Sequence, residues 1–366
     1  MKPDRPYLSV VVPVSQGGAV LPRSLSSLMA SDLPRECWEL IVVDDASTDD
    51  TALIAAGYAD TVVRLPGRPH GPAYARNRGF EVARGEIIVF ADSDVCVHAG
   101  TLRRFAEVFC NEPDVSAVFG AYDDEPEEKG LVTEYRNLMH HYVHHQNPGD
   151  AETFWAGCGA VRATVFREAG MYDEWHYARP QIEDIELGHR IRAIGHRIVL
   201  RPEIQGKHLK RWTLKQLIRT DLNDRGVPWT RFLIMRGEAV TSRALNLRAI
   251  ERINTALVGL TIFFVLGAVV SLNARWLILA AFCLLPVIMS NHQLYGFFLK
   301  SRGVLFMLGT IPLNLMYYAL NNVSFAFGWL LHGTVGGPRP DPAVEAFSEV
   351  GVQTWPPVPA KRKISG

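Results

Sequence analysis

Short runs of apolar, often β-branched residues alternate with amphipathic stretches through the first 121 residues of the chain. Apolar runs of about four to eight residues between polar turns predict buried strands, and the stretches between them predict helices. The predicted strands are 7–14, 39–45, 61–65, 86–91 and 115–121. The predicted helices are 21–29, 48–56, 74–83 and 101–109. This order predicts an α/β domain with a mostly parallel, Rossmann-like sheet covered by helices on both faces.

Acidic pairs follow two of the predicted strands. Asp44 and Asp45 end the second strand, and Asp92 and Asp94 follow the fourth. Because carboxyl ends of parallel strands meet at one edge of a sheet, both pairs are expected to open on the same cleft. Side chains alternate along a strand, so Asp92 and Asp94 are expected to project to one side. Such oxygen donors suit a divalent cation that carries a diphosphate, although acids also end strands simply as turn residues.

A polar start signal precedes the second predicted helix. Ser47, with Asp50 three residues later, has the spacing of a helix capping box. The sequence therefore predicts that this helix begins directly after the Asp44–Asp45 pair.

The hydropathy pattern changes near residue 253, beyond which charged residues become rare. Segment 255–272 is uncharged and approaches the ~20 residues that span a bilayer. Segment 276–289 is shorter, and segment 304–332 is long enough but contains Pro312 and several Asn residues. We therefore predict about three transmembrane helices within 253–333, with a buried helical core as the alternative.

Two further segments flank the predicted membrane region. Leu214, Leu217 and Leu222 recur at helical spacing with basic neighbours, so 212–252 is expected to form amphipathic helices at the membrane interface. A core helix of the first domain is the competing interpretation. The Pro-rich tail 334–366 is expected to be flexible, and the catalytic domain is expected to occupy 1–211.

Charge and cysteine usage narrow the functional class. The 38 basic and 38 acidic residues cancel, which argues against a nucleic-acid partner. The five cysteines show no metal-type spacing, as expected in a reducing compartment. We expect no signal peptide before the first strand, and Arg243, Arg248 and Arg252 come before the first predicted span. The positive-inside rule then predicts a multi-pass plasma-membrane protein with a cytoplasmic catalytic domain.

Four histidines form a cluster at residues 140, 141, 144 and 145. On a helix these histidines could form two metal-binding pairs. No cysteine or carboxylate follows at the spacing of a further metal ligand, which argues against a zinc site. We expect them to flank an acceptor pocket or to lie on a polar helix face.

Several motifs in a fixed order resemble the family 2 glycosyltransferases of the GT-A fold. They are 9–14 (SVVVPV), 43–51 (VDDASTDDT), 71–79 (GPAYARNRG), 90–94 (FADSD), 155–160 (WAGCGA), 183–187 (EDIEL) and 208–212 (HLKRW). The resemblance covers about residues 7–212. It implies inverting transfer of a sugar from a nucleotide sugar, with a UDP-sugar favoured over a GDP-sugar, assisted by Mg²⁺ or Mn²⁺.

The resemblance also implies roles for individual residues. The general base would be Asp184, which deprotonates a lipid or lipid-linked hydroxyl. The metal ligands would be Asp94 and His208. Donor-binding residues would be Pro13, Asp44, Asp45, Arg76 and Asp92. Acceptor-binding residues would be Trp155, Gly157, Glu183, Arg211 and Trp212.

The residues alone leave some choices open. Helical phase does not distinguish Glu183 from Asp184, and only one of Arg76 and Arg78 need face the cleft. Arg211 and Trp212 resemble the end of a processive-synthase motif, so a polysaccharide synthase is an alternative. A polyprenyl-phosphate glycosyltransferase, a sugar nucleotidyltransferase and an inactive membrane scaffold are the others. Oligomeric state is not predicted.

Overall fold

The computed structural model describes residues 5–237 and 248–338 and the backbone of 353–355. Among these residues the strands are β1 (Leu8–Val14), β2 (Trp38–Asp45), β3 (Thr61–Leu65), β4 (Ile87–Ala91), β5 (Val95–Val97), β6 (Val115–Tyr122), β7 (Gly149–Ala151), β8 (Cys158–Arg162), β9 (Arg197–His208) and β10 (Gln353–Trp355). The helices are α1 (Leu21–Met29), α2 (Thr51–Ala56), α3 (Pro72–Val82), α4 (Thr101–Asn111), α5 (Leu131–His145), α6 (Ala163–Glu168), α7 (Glu183–Ala193), α8 (Leu214–Arg219), α9 (Val227–Met235), α10 (Ala249–Ser271), α11 (Arg275–Ser290), α12 (His292–Arg302) and α13 (Val304–Val335).

The chain divides into two compact units. Residues 1–121, 148–209 and 340–366 make up the first, and residues 122–147 and 210–339 make up the second. The sequence predicted a continuous first domain over 1–211. Residues 122–147, which include the histidine cluster, instead belong to the second unit.

The first unit is built on one mixed sheet. Its strand order among the described residues is β10-β3-β2-β1-β4-β8-β6-β9-β5, with β7 paired to β9. Strands β1 to β4 run parallel, as predicted. Strand β8 is antiparallel to both β4 and β6 and lies between them, so β6 runs in the direction of β4. The α/β fold predicted from the apolar runs is confirmed, with an antiparallel insertion that the runs did not indicate.

The parallel strands are apolar because helices cover both of their faces. Every residue of β1, β2 and β4 is buried. Helices α1 and α4 pack on one face, where Leu25, Leu28 and Phe105 are inaccessible to solvent. Burial on this scale holds the strand ends, and hence the residues that follow them, in fixed positions.

The second unit is helical. Helix α8 begins with a capping box made by Thr213 and Gln216, and it continues through a π-helical segment, Thr220–Gly226, into α9. Much of the large apolar surface of α10, α11 and α13 is exposed. Within the described part of the chain, α10 and α13 are long and apolar enough to cross a membrane. The pair α11 and α12, bent by 61°, adds a third if it counts as one span.

Two of the predicted segments lie partly outside the described residues. The parts outside are residues 238–247 of the predicted interface helices and most of the tail 334–366. The described parts of the tail are 334–338, where α13 ends at Val335, and β10, whose backbone pairs antiparallel with β3.

Candidate active site

A buried arginine joins three elements at the carboxyl edge of the parallel strands. Arg76 on α3 donates from Nη1 to Oε1 of Glu183 at 3.0 Å and from Nη2 to Oδ1 of Asp92 at 2.8 Å. Its guanidinium also lies over the ring of Tyr172. Burial opposes the charge of Arg76, but Asp92, Tyr172 and Glu183 raise its pKa above the ordinary value. Arg76 therefore stays charged and connects the end of β4 to the start of α7.

Asp45 fixes the loop that begins α3. Its carboxylate accepts hydrogen bonds from the backbone N–H groups of His70 and Gly71 at 2.8 Å, and it lies 2.9 Å from Nδ1 of His70. Gly71 has φ of 98°, and a Cβ there would lie 2.3 Å from the carbonyl oxygen of Ala178. Both oxygens of Asp45 are therefore used in holding the protein's own backbone.

Asp44 differs from its neighbour. Its Oδ1 accepts from the backbone N–H of Ser47 at 3.1 Å. Its Oδ2 is buried, lies 3.3 Å from Nε of Arg64 and has no hydrogen-bond partner within the described residues. Because a buried acceptor without a donor is costly, Asp44 is the member of the pair with an acceptor to offer a ligand.

Asp92 and Asp94 do not lie on a strand. Strand β4 ends at Ala91, and the backbone N–H of Val95 donates to the carbonyl of Asp92, which closes a turn. The alternation along a strand from which a common side was expected therefore does not apply to these two residues, because the extended backbone it requires has already ended. Burial, opposed by Arg76 and reinforced by Asp94, raises the pKa of Asp92.

Asp94 faces a histidine from the end of β9. Oδ2 of Asp94 lies 3.5 Å from Nε2 of His208, and Val95 pairs with His208 between β5 and β9. His208 is buried. Two strands thus bring a carboxylate and an imidazole together.

This pair is a partial set of metal ligands. Among residues 5–237 and 248–338, no group of three or more His, Cys, Asp or Glu side chains is arranged to hold a metal ion. Mg²⁺ commonly takes one or two carboxylates from a protein and completes its shell with water and substrate phosphates. The Asp94 and His208 donors fit such a shared site and do not form a cage by themselves.

The segment before β8 reaches the same edge because β8 runs antiparallel to β4. The backbone N–H of Asp92 donates to the carbonyl of Gly157 at 3.2 Å. A Cβ at Gly157 would lie 2.5 Å from the indole ring of Trp155, so only glycine lets this ring lie against the backbone. Trp155 and Gly157 therefore lie beside the acidic turn.

Glu183 and Asp184, which helical phase could not separate, have different surroundings. Glu183 is buried, and its two oxygens accept from Arg76 and from the backbone N–H of Gln181. Asp184 is partly exposed, and its Oδ2 accepts from the backbone N–H of Ala156 at 3.3 Å. Of the two acids, Asp184 is the one with access to solvent.

Residues that the sequence patterns did not indicate complete the site. The side-chain amide of Asn77 exchanges two hydrogen bonds with the backbone of Tyr172. Burial, opposed by Arg76 and reinforced by Asp184, Glu183 and Asp92, raises the pKa of Tyr172 well above its ordinary value. Tyr172 is therefore a neutral phenol among the charged groups. No motif spacing pointed to it.

The remaining predicted residues lie elsewhere. Arg78 pairs with Glu81 and Glu174, away from the acidic turn, so Arg76 is the arginine that faces it. Pro13 is buried near the end of β1. The pairing of β1 with β4 ends before it, so the missing N–H of proline costs no hydrogen bond to β4.

Arg211 and Trp212 belong to the second unit. Arg211 is exposed. The backbone of Trp212 is hydrogen-bonded to the hydroxyl of Thr133, and its buried ring makes cation–π contacts with Arg136 and Lys210. This ring is packed as a core residue of that unit.

Part of the chain is similar in sequence to known glycosyltransferases. Residues 9–170 match the family model described as "Glycosyl transferase family 2". The chain is 35% identical over 99 residues to poly(ribitol-phosphate) beta-N-acetylglucosaminyltransferase TarS of Staphylococcus aureus, covering 26% of this chain and 17% of that protein. It is 23% identical over 208 residues to the probable glycosyltransferase YdaM of Bacillus subtilis, covering 53% and 49%. The matched regions are thus less than half the length of each relative.

A solved structure has a similar fold. It is the mannosyltransferase PcManGT from Pyrobaculum calidifontis in complex with GDP-Man and Mn²⁺, at 18% identity and a TM-score of 0.53, covering 88% of both chains. At this identity the likeness concerns the fold alone.

Proposed function

We propose that this chain, in which residues 9–170 are a glycosyl transferase family 2 domain of the GT-A fold, transfers a sugar from a nucleotide sugar to a hydroxyl group of a lipid or lipid-linked acceptor. The observation that carries the proposal is the cluster at the carboxyl edge of the sheet. There Arg76 holds Asp92 and Glu183, while Asp94 faces His208. Ligands of open α/β sheets bind at this edge.

The donor would lie across the ends of β1, β2 and β4. The buried Oδ2 of Asp44 would accept a hydrogen bond from the nucleotide base. Asp94 and His208 would hold Mg²⁺ or Mn²⁺, which when bound neutralises the charge that develops on the leaving diphosphate. Asp45 and Arg76 act as positioning residues in this proposal, because their polar atoms are largely engaged by the protein itself.

Asp184 would be the general base. It would take the proton of the acceptor hydroxyl as the oxygen attacks the anomeric carbon on the face opposite the leaving diphosphate, which inverts that centre. An anionic polyprenyl phosphate needs little deprotonation, whereas a hydroxyl gains from a base. The partly exposed carboxylate of Asp184 beside Trp155 and Gly157 therefore favours a hydroxyl acceptor.

The second unit would anchor the enzyme in a membrane. Helices α10 and α13 meet the length and hydropathy expected of spans. Arg248 and Arg252, at the start of α10, favour a cytoplasmic position for that end by the positive-inside rule. We therefore propose a multi-pass plasma-membrane protein that acts at the cytoplasmic face.

Membranes containing the full chain, incubated with labelled nucleotide sugars, test the proposal. The expected result is label from a UDP-sugar, or from a GDP-sugar as the second candidate, in a lipid whose mass spectrum places the sugar on a hydroxyl. Label in a polymer would favour a processive synthase, and label on a polyprenyl phosphate would contradict the hydroxyl acceptor. Absence of label with every donor, from protein that remains folded, would favour the inactive scaffold.

Replacing Asp94 by alanine is expected to weaken metal-dependent donor binding by about tenfold or more, equivalent to roughly 1.4 kcal/mol. The reason is that the change removes one of the two proposed protein ligands. Titration calorimetry with the nucleotide sugar, with Mn²⁺ and with chelator, measures the difference. Asp114→Ala, an exposed acid on the same unit, is the control and should bind like the parent. If Asp94→Ala bound the nucleotide sugar with unchanged affinity in the presence of Mn²⁺, Asp94 would not be a metal ligand.

A further inference from the structure

The second unit contains a cavity of its own. Its volume is about 260 Å³, and it is lined by α5, the π-helical segment and parts of α10 to α13. Drug-sized ligands usually occupy about 300–1,000 Å³. The cavity therefore suits one small group, such as a single sugar ring, rather than a whole nucleotide sugar.

The arginines of the cavity wall are engaged by the protein itself. Arg136 is paired with Asp221 at 2.9 Å, and Arg248 donates to Oδ1 of Asn147 on the same wall. Arg225 also has an interaction partner within the chain. An anionic ligand would have to displace these contacts, so the wall favours an occupant without charge.

A buried amide on α13 lacks a donor. Asn314 lines the cavity and is only 1% exposed. Its Nδ2 donates to the hydroxyl of Tyr295 at 3.1 Å, and its Oδ1 has no hydrogen-bond partner among the described residues. Because buried acceptors are normally satisfied, Oδ1 calls for a donor from an occupant of the cavity.

A second buried amide competes for a single hydrogen. The hydroxyl of Tyr318 lies 2.9 Å from Oε2 of Glu251 and 3.2 Å from Oδ1 of Asn291. A phenol has one hydrogen to donate, and an ionised carboxylate is the stronger acceptor. Oδ1 of Asn291 then has no other donor in the described part of the chain, although the residue is only 8% exposed. Asn291 lines the cavity, so it also calls for a donor from the occupant.

The two amides are linked to each other through tyrosines. Tyr318, which contacts Asn291, follows Asn314 by one turn of α13, and Tyr295, which contacts Asn314, follows Asn291 by one turn of α12. Residues one turn apart share a helix face, so both amides belong to the same part of the wall. Two neighbouring hydroxyl groups supply two donors without charge. Such pairs repeat around a sugar ring.

Aromatic rings provide a complementary surface in the cavity. Tyr135, Tyr142 and Tyr317 line it. The face of an aromatic ring carries partial negative charge, so it attracts the C–H groups of a sugar ring, which the neighbouring oxygens leave partly positive. A molecule with hydroxyl donors and a C–H face therefore matches the wall.

The histidine cluster divides around this cavity. His140 and His144 line it, with their rings 4.0 Å apart. His141 and His145 stack on each other instead, and Nδ1 of each approaches a backbone carbonyl. The imidazoles of His140 and His144 therefore contribute a further polar wall to the cavity.

The surrounding helices indicate where the occupant comes from. Glu251 lies in the first turn of α10, whose later residues Phe263, Leu266 and Val270 are exposed apolar side chains. The cavity is thus at the polar end of a helix suited to a bilayer. A lipid can place its head group there and its acyl chains along the apolar surface.

From these observations we propose that the cavity binds a neutral monosaccharide, supplied as the sugar head group of an uncharged glycolipid. Two neighbouring hydroxyls of the sugar donate to Oδ1 of Asn314 and Oδ1 of Asn291, and its C–H face lies against a tyrosine ring. This binding needs neither a nucleotide sugar nor sugar transfer, so the proposal goes beyond the proposed function and is tested without it.

The full chain is reconstituted in phosphatidylcholine bilayers that contain equal fractions of monoglucosyl or monogalactosyl diacylglycerol, of diacylglycerol without a sugar, or of anionic phosphatidylglycerol. Lipid retained after detergent extraction is counted by native mass spectrometry. We expect at least one of the two glycolipids to be retained about tenfold more than diacylglycerol and phosphatidylglycerol. Asn314→Leu is expected to lower its retention about tenfold, because leucine offers no acceptor to a hydroxyl.

Asn321→Leu is the matched control, because Asn321 lies two turns further along α13 and does not line the cavity. It should retain the glycolipid as the parent does. The thermal midpoint of the parent gives a second measurement that needs no variant, and the glycolipid should raise it more than diacylglycerol does.

Three results would overturn the proposal: retention of diacylglycerol or phosphatidylglycerol equal to that of both glycolipids, a loss in Asn321→Leu equal to that in Asn314→Leu, or no thermal shift with either glycolipid. The methyl glycosides of the same sugars distinguish the source of the ligand. A thermal shift from the free methyl glycoside equal to that from the glycolipid would contradict the membrane as the source.

Discussion

Replacement of Asp184 by asparagine is expected to lower the rate of sugar transfer by about 10²–10⁴-fold, the range contributed by a positioned general base. Asparagine keeps the size of the side chain, and its amide oxygen can still accept from the backbone N–H of Ala156. It cannot take the proton of the acceptor. Donor affinity should stay near that of the parent, because the contacts proposed for the donor lie on Asp44, Asp94 and His208.

Initial rates of transfer to the labelled lipid and calorimetric donor affinity, measured on the same preparations, separate these effects. Asp114→Asn makes the same chemical change at an exposed acid and should transfer at the parental rate. Near-normal turnover by Asp184→Asn would remove the assignment of the base. A donor affinity reduced in parallel with the rate would instead give Asp184 a role in donor binding.

Replacement of Arg76 by methionine is expected to lower the free energy of unfolding by about 3–5 kcal/mol, the cost of removing one partner from a buried ion pair. Arg76 is 4% exposed and bonded to the carboxylates of Asp92 and Glu183. Methionine keeps much of the volume but leaves both acids without their cation. The loss should be seen in chemical or thermal unfolding of the first unit.

The stability deficit of Arg76→Met should also depend on pH in a predictable direction. Burial already raises the pKa of Asp92, and Arg76 opposes that rise. Without Arg76 the pKa should rise further, so the variant's deficit is largest at neutral pH and shrinks as acid neutralises Asp92. Arg78→Met is the control: Arg78 also pairs with two acids, but Glu81 is well exposed, so a smaller loss is expected. Equal losses in both variants, or a deficit independent of pH, would contradict the account of Arg76.

The fold of the first unit was predictable where the pattern is local. The apolar runs predicted strands β1 to β4 and their parallel direction. Parallel pairing of these strands is sufficient to bring Asp45 and Asp92 to one edge of the sheet. The helix start after β2 was not predicted correctly. Helix α2 begins at Thr51, and Oγ of Ser47 accepts from the backbone N–H of Gln16 instead of capping it. The donor that binds the Ser47 hydroxyl lies in a loop 31 residues earlier in the chain. A four-residue motif contains no information about such a distant partner.

The distinction within each acidic pair also depends on distant partners. Asp45 is bonded to His70 and Gly71, whereas Asp44 retains a buried acceptor. Glu183 is engaged by Arg76, 107 residues earlier in the chain. Periodicity describes one element at a time, so it could locate these acids but could not say which of them the protein itself uses.

Strand β8 has a consequence for how the chain folds. It follows both β4 and β6 in the sequence but lies between them in the sheet, so neither flanking strand can complete its pairing until β8 has been synthesised. Contacts between segments so far apart form slowly, because the loop entropy must be overcome first. During synthesis the acidic turn after β4 therefore emerges with an open strand edge beside it. The assembly of the candidate site is a late event, and the edge of β4 is the surface that most needs protection from aggregation until then.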